Sequence, residues 1–135
     1  HFLNDIIKKL DAIQKFIRLK QSQTLANSNK RVSNILKKFT GPIKKVDESL
    51  LCEKEEIELF NSINELDPIL VKSINDKNYF EALNALVELK EPIDQFFENV
   101  MVNSENQKIK NNRHNLLKQL HISLNHVADI SKLAN

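Results

Sequence analysis

Asn29-Lys30-Arg31-Val32-Ser33-Asn34-Ile35-Leu36-Lys37-Lys38-Phe39-Thr40-Gly41-Pro42 is the stretch from which the fold is read. Val32, Ile35, Leu36 and Phe39 recur at spacings of three and four, which puts them on one face of a helix. Lys30, Asn34 and Lys37 share another face, with Arg31 and Lys38 beside them. Thr40-Gly41-Pro42 is a stop: Gly accepts a left-handed C-cap and Pro cannot continue a helix. A helix over about 25–39 is therefore expected, followed by a loop over 42–52. Its apolar stripe needs partners, and the rest of the chain offers more helices of the same kind.

Upstream, Leu3, Ile6, Ile7, Leu10, Ile13 and Ile17 form a second amphipathic stripe, opposite Lys8, Asp11, Lys15 and Arg18. The polar stretch 21–29 between the two helices is a candidate bend. Downstream, a third helix is expected near Glu53, where acidic residues suit the positive helix N-terminus. Ile57, Phe60, Ile63, Leu70 and Ile74 are its inward set. Asp67-Pro68 interrupts this pattern and reads as either an N-cap break or a kink. A fourth segment starts at Tyr79 after the polar turn 75–78. Leu83, Leu86, Ile93, Phe97 and Val100 hold one register through Pro92, which favours a kinked or closely resumed helix. Ser104 with Gln107 reads as a capping box for a last helix carrying Ile109, Leu116, Leu117, Leu120, Leu124 and Val127 inward. The expected architecture is all-α, a bundle of about five helices.

Composition agrees. The chain has 135 residues, enough for one core, and 41% are hydrophobic, too many for a disordered chain. With 1 Gly and 3 Pro it has few sites for the tight turns that sandwiches and barrels require. No apolar run is long enough to span a membrane. The lone Cys52 suits a reducing compartment, so a cytoplasmic location is expected. His1 stands where an initiator Met would, so the chain is expected to be a piece of a longer protein.

The net charge of +2 hides an asymmetry. Residues 1–45 carry 11 Lys and Arg against 2 Asp, a surplus of 9. Residues 46–105 carry 4 Lys against 15 acidic residues, a deficit of 11. Residues 106–135 carry 5 basic residues against 1 acidic, a surplus of 4. Clustered positive charge suits a polyanion partner, whereas neutralisation of the acidic middle by the basic ends is the competing account.

Few residues are placed for catalysis. His114, His121 and His126 include no pair three or four apart, and no second cysteine exists, so no metal site is expected. Cys52 has no local base and reads as an idle or packed thiol. Gly41 alone cannot build a phosphate loop. The basic face of the 25–39 helix is the best candidate: Lys30, Arg31, Lys37 and Lys38 can neutralise phosphates, and Asn34 can read a base edge. Lys108 and Lys110 add charge. Arg113 falls on the apolar stripe of the last helix and needs a partner there, and Asp94 is the expected one. A helical module that docks on an acidic protein partner is the alternative. Pairing of the basic helix with acidic residues of 47–98 would favour that alternative.

The segment 29–36 also resembles a signature near the C-terminus of the bacterial glycyl-tRNA synthetase beta subunit family. Tyr79-x-x-Ala82-Leu83 and Pro92-Ile93-Asp94-x-Phe96-Phe97-x-x-Val100-Met101-Val102 resemble later blocks of it. Asn112-Arg113 and Val127-Ala128-Asp129-Ile130-Ser131-x-Leu133 follow in the same order, and the resemblance runs from about Phe16 to the end. It implies the helical DALR-type anticodon-binding domain over 21–135, with 1–20 as the tail of a preceding domain or the first bundle helix. Asn135 would lie near the native C-terminus. It implies tRNA(Gly) as partner, no catalysis in this part and no cofactor of its own. ATP and Mg would serve the alpha subunit, joined through the rest of the beta chain in an α2β2 tetramer. Phe96, Phe97, Val100 and Met101 would be packing residues. His114 stands where the family usually has an apolar residue, so a wetter helix face is expected. Pro68 is not general in the family, so extra bending is expected there.

Overall fold

The computed structural model describes the backbone of residues 2–18 and 20–132, and the side chains of 3–11, 23–78 and 80–126. Among these residues the secondary structure is helical throughout. Six α-helices follow in order: α1 (Phe2–Arg18), α2 (Lys20–Lys38), α3 (Lys54–Asn75), α4 (Tyr79–Val87), α5 (Lys90–Asn99) and α6 (Gln107–Lys132). A single 3-10 turn, Glu48–Leu50, sits in the loop after α2. The expected fourth segment is divided into α4 and α5, which accounts for the extra helix.

The core forms where α3 meets α4, α5 and α6, with α2 laid along α6 and α1 against α4 and α2. Leu59, Ile63, Leu70, Leu86, Leu89, Ile93, Phe96, Leu116, Leu117 and Leu120 are fully buried. Each such side chain contributes about 1.5–3 kcal/mol of transfer free energy. Asn29 of α2 meets His121 and Asn125 of α6, while Phe39 meets His114, so the two helices run antiparallel.

Several local expectations are corrected. Residues 21–29 form no bend; they lie within the continuous helix α2. Helix α3 also runs unbroken through Pro68. Pro68 is exposed, so the helix stays continuous where the missing N–H faces solvent, and Leu66, Leu70 and Ser73 keep the buried register. Between α4 and α5 the chain turns at Glu88-Leu89 and resumes at once, with Pro92 in the first turn of α5, where backbone N–H groups lack helical partners anyway. The Ser104–Gln107 capping box does not form. Asn106 caps α6 instead, its Oδ1 accepting from the amides of Lys108 (3.0 Å) and Ile109 (3.3 Å), while the Gln107 side chain donates to Asn111.

Gly41 lacks the left-handed conformation expected of it. Its role is steric: a Cβ there would come within 2.5 Å of the Phe39 ring. The left-handed residue is Lys77 (φ 59°), in the turn between α3 and α4. There the Asn78 amide donates to the Ser73 carbonyl (2.7 Å) and the Lys77 amide to that of Ile74 (3.1 Å), the pattern of a Schellman motif.

The inward sets also shift. Ile57 is 42% exposed, because Glu56 takes the core-facing position of that turn. Leu3, Ile6 and Ile7 are exposed on α1, which touches only part of the bundle. Met101 is exposed as well, whereas Phe96 and Val100 are buried and Phe97 is half-buried. His114 is only 2% exposed, so its helix face is dry rather than wet. Its Nδ1 lies 2.8 Å from the Lys110 carbonyl, which makes that nitrogen the donor, and its ring stacks on Phe39 at 3.9 Å. Ile13, Ile17, Lys15, Arg18, Tyr79 and Val127 fall outside the residues with described side chains.

Candidate nucleic-acid interface

Arg113 was expected to pair with Asp94, and it does not. Its Nη2 lies 2.8 Å from Glu56 Oε1, and Asp94 pairs with Lys90 one turn away on α5 (3.2 Å). The register explains the change. Glu56 is the inward residue of the first turn of α3, wholly buried and facing α6, whereas Asp94 is half-exposed on α5. Glu56 Oε1 also accepts from the Glu53 amide (3.1 Å) and lies 3.4 Å from the Cys52 thiol. Arg113 Nη1 donates to the Met101 carbonyl. Burial works against the Arg113 charge, but the Glu56 hydrogen bond and charge outweigh it and raise the pKa. Arg113 is thus a strut joining α6, the start of α3 and the loop before α6.

Lys30, Arg31, Asn34, Lys37 and Lys38 are all exposed on α2. Among the described residues none of the four basic ones forms a salt bridge with an acidic side chain. Lys30, Arg31, Asn34 and Lys38, with Asn27 and Ile35, line an open groove of about 360 Å³ along the helix. Lys37 is exposed but does not line it. Lys108 and Lys110 lie in the first turns of α6, exposed and half-buried respectively. The Lys110 carbonyl receives the His114 hydrogen bond, which sets it beside the Phe39 end of α2.

Two further lysines follow α2. Lys44 and Lys45 are exposed in the loop after α2. That loop is clamped by α6: Asn115 Oδ1 accepts from the Lys44 amide (2.8 Å), and Asn112 bonds both the amide (2.7 Å) and the carbonyl (3.0 Å) of Asp47. Asp47 caps the 3-10 turn, and the Ser49 hydroxyl and amide hold its carboxyl below the usual carboxylate value. The charge count contained both lysines, but a loop has no periodicity to place them.

Arg31 makes a specific contact with a neighbouring helix. Its guanidinium carbon lies 4.2 Å from the centroid of the Phe97 ring on α5, a cation–π arrangement. Phe97 in turn meets Phe96 edge-on at 5.5 Å. Among the described residues no group of three or more His, Cys, Asp or Glu is arranged to hold a metal, and no helix is long and apolar enough to cross a membrane. The arrangement offers phosphate neutralisation, hydrogen-bond donors and a flat cation.

The chain is 44% identical over 133 residues to the glycine–tRNA ligase beta subunit of Dechloromonas aromatica (strain RCB), a match covering 98% of the chain. It is 43% identical to that of Janthinobacterium sp. (strain Marseille), again over 98% of the chain. Over 97% of the chain it is 40% identical to that of Neisseria meningitidis serogroup C (strain 053442). The chain spans 19% of the length of each of these relatives. Residues 25–132 match the DALR anticodon binding domain, so the helical bundle from α2 through α6 belongs to that family.

Proposed function

We propose that this domain holds the anticodon arm of tRNA(Gly) on the exposed face of α2, as the non-catalytic anticodon-binding part of a glycine–tRNA ligase beta subunit. Lys30, Arg31, Lys37 and Lys38 neutralise backbone phosphates, with Lys108 and Lys110 extending the contact, and Asn34 meets a base edge. The observation that carries this reading is that, among the described residues, Lys30, Arg31, Lys37 and Lys38 form no ion pair, in a chain whose acidic segment could have neutralised them. The domain needs no cofactor. Aminoacylation, with its ATP and Mg, belongs to the alpha subunit, which the rest of the beta chain joins in an α2β2 tetramer. A lone Cys52 suits the reducing cytoplasm in which translation runs.

The test is binding of the glycine anticodon stem-loop, followed by fluorescence anisotropy over a salt series. Affinity should fall as salt rises, with about 0.7–0.9 of log–log slope for each phosphate contact. Replacing Lys30, Arg31 and Lys37 together with Ala should weaken binding and flatten that slope by roughly 2–3 on the same counting. Unchanged affinity in a triple variant with native circular dichroism would refute the assignment.

A further inference from the structure

The loop between α2 and α3 is held to α6 by buried amides. Of the adjacent pair Asn112-Arg113, Arg113 ties α6 to α3, and Asn112 ties it to this loop. Asn112 is 1% exposed and uses both halves of its amide on Asp47. Its Oδ1 accepts from the Asp47 N–H (2.7 Å), and its Nδ2 donates to the Asp47 carbonyl (3.0 Å). Nearly one turn further along α6, Asn115 Oδ1 accepts from the Lys44 N–H (2.8 Å). Buried amides are costly to leave unpaired, so the loop is bound to follow the helix. Val46, between the two clamped residues, is buried in the core, whereas Lys44 and Lys45 are exposed. Among the described residues neither lysine forms an ion pair. The Phe39 ring stacks on His114, and His114 bonds the Lys110 carbonyl. Lys37 and Lys38, the two loop lysines and Lys110 thus gather at one end of the antiparallel α2–α6 pair.

We propose that Asn112 and Asn115 are positioning residues, which fix this loop so that Lys44 and Lys45 meet two backbone phosphates of an RNA docked along α2. The proposal rests on that docking and adds a second, preset contact to it. Lysine is a compact point charge with three donors and suits a phosphate rather than a base edge. A loop that must order on binding gives up affinity for the freedom it loses, and a loop already fixed does not. The clamp therefore acts through the lysines it aims and touches no RNA itself. A merely structural clamp would hold the loop for stability alone. The two roles differ in one measurable respect: only a positioning role makes the effect of the asparagines on RNA depend on the lysines.

The test is a double-mutant cycle read by fluorescence anisotropy, with the 135-residue chain and the glycine anticodon stem-loop. Lys44→Ala with Lys45→Ala should weaken binding and flatten the log–log salt slope by about 1–2, as expected for two phosphates. Asn115→Ala leaves every charge in place and should weaken binding by roughly 2- to 10-fold, within the worth of the one hydrogen bond removed. On top of the two lysine substitutions it should change affinity by less than about 2-fold, because the clamp then has nothing to aim. Asn112→Ala removes two bonds and should repeat this pattern more strongly, measured below its own melting temperature. Three results overturn the proposal: the lysine pair variant binding like the parent, Asn115→Ala binding like the parent, or Asn115→Ala weakening RNA equally with and without the lysines. Failure of the docking reading shows up separately, as a Lys30, Arg31 and Lys37 triple variant that binds like the parent.

Discussion

Replacing Arg113 with Met removes the guanidinium and keeps most of the side-chain length. Glu56 has no exposed surface, and the Arg113 side chain is 7% exposed. After the change the carboxylate keeps two donors on Oε1, the Glu53 amide and the Cys52 thiol, and Oε2 has no hydrogen-bond partner even now. Leaving one member of a buried pair uncompensated costs about 3–5 kcal/mol. A domain of this kind has about 5–15 kcal/mol in total, so the variant should lose a large share of its stability. In melting temperature the drop should be roughly 10–20 °C. Urea unfolding followed by far-UV circular dichroism measures it, provided the slope is unchanged. The companion double variant, Glu56→Leu with Arg113→Met, removes both charges. It still loses the Glu56 hydrogen bond at the start of α3, about 1 kcal/mol, but should be no less stable than Arg113→Met alone. An Arg113→Met loss under about 1 kcal/mol, or a double variant whose loss equals the sum of the singles, would refute the strut.

Two other outcomes follow from the same contacts. Lys77→Gly should raise stability by about 0.5–1 kcal/mol, because a non-glycine residue in the left-handed region is penalised and glycine is not; a lower urea midpoint would count against the Schellman turn. Burial, and then the charge of Lys118, lowers the His121 pKa, so below the ordinary value of 6.5 the unfolded chain binds a proton that the folded one resists. Stability should therefore be fully retained above pH 6.5 and decline as the pH falls through it, and His121→Gln should make that decline shallower in pH-dependent unfolding.

Legibility in the sequence followed periodicity. The stripes of α2 and α6, the stop at Gly41-Pro42, the start of α3 at Glu53 and the register carried past Pro92 all rest on spacings within one element. The exposed placement of Lys30, Arg31, Asn34, Lys37 and Lys38 was legible for the same reason: the apolar stripe of the helix dictates its opposite face. Asn106 took the cap expected of Ser104 because both residues can cap and the spacing alone does not choose between them. The positions of Lys44, Lys45, Phe97 and Glu98 relative to α2 and α6 were not legible. Their neighbours come from other elements, and no local rule brings α5 beside α2.

By itself, then, the sequence determined the helices, their amphipathic faces and the position of the basic one, since helical geometry makes each of these a property of residues three and four apart. Tertiary structure alone decided which charge met which. Arg113 required a carboxylate, and the chain offered many. Packing placed Glu56 of α3 opposite it, inside the core where a charge must be paired, and left Asp94 to Lys90 at the surface. The same packing set Phe97 under Arg31, which turned one cation of a basic helix into one wall of a groove.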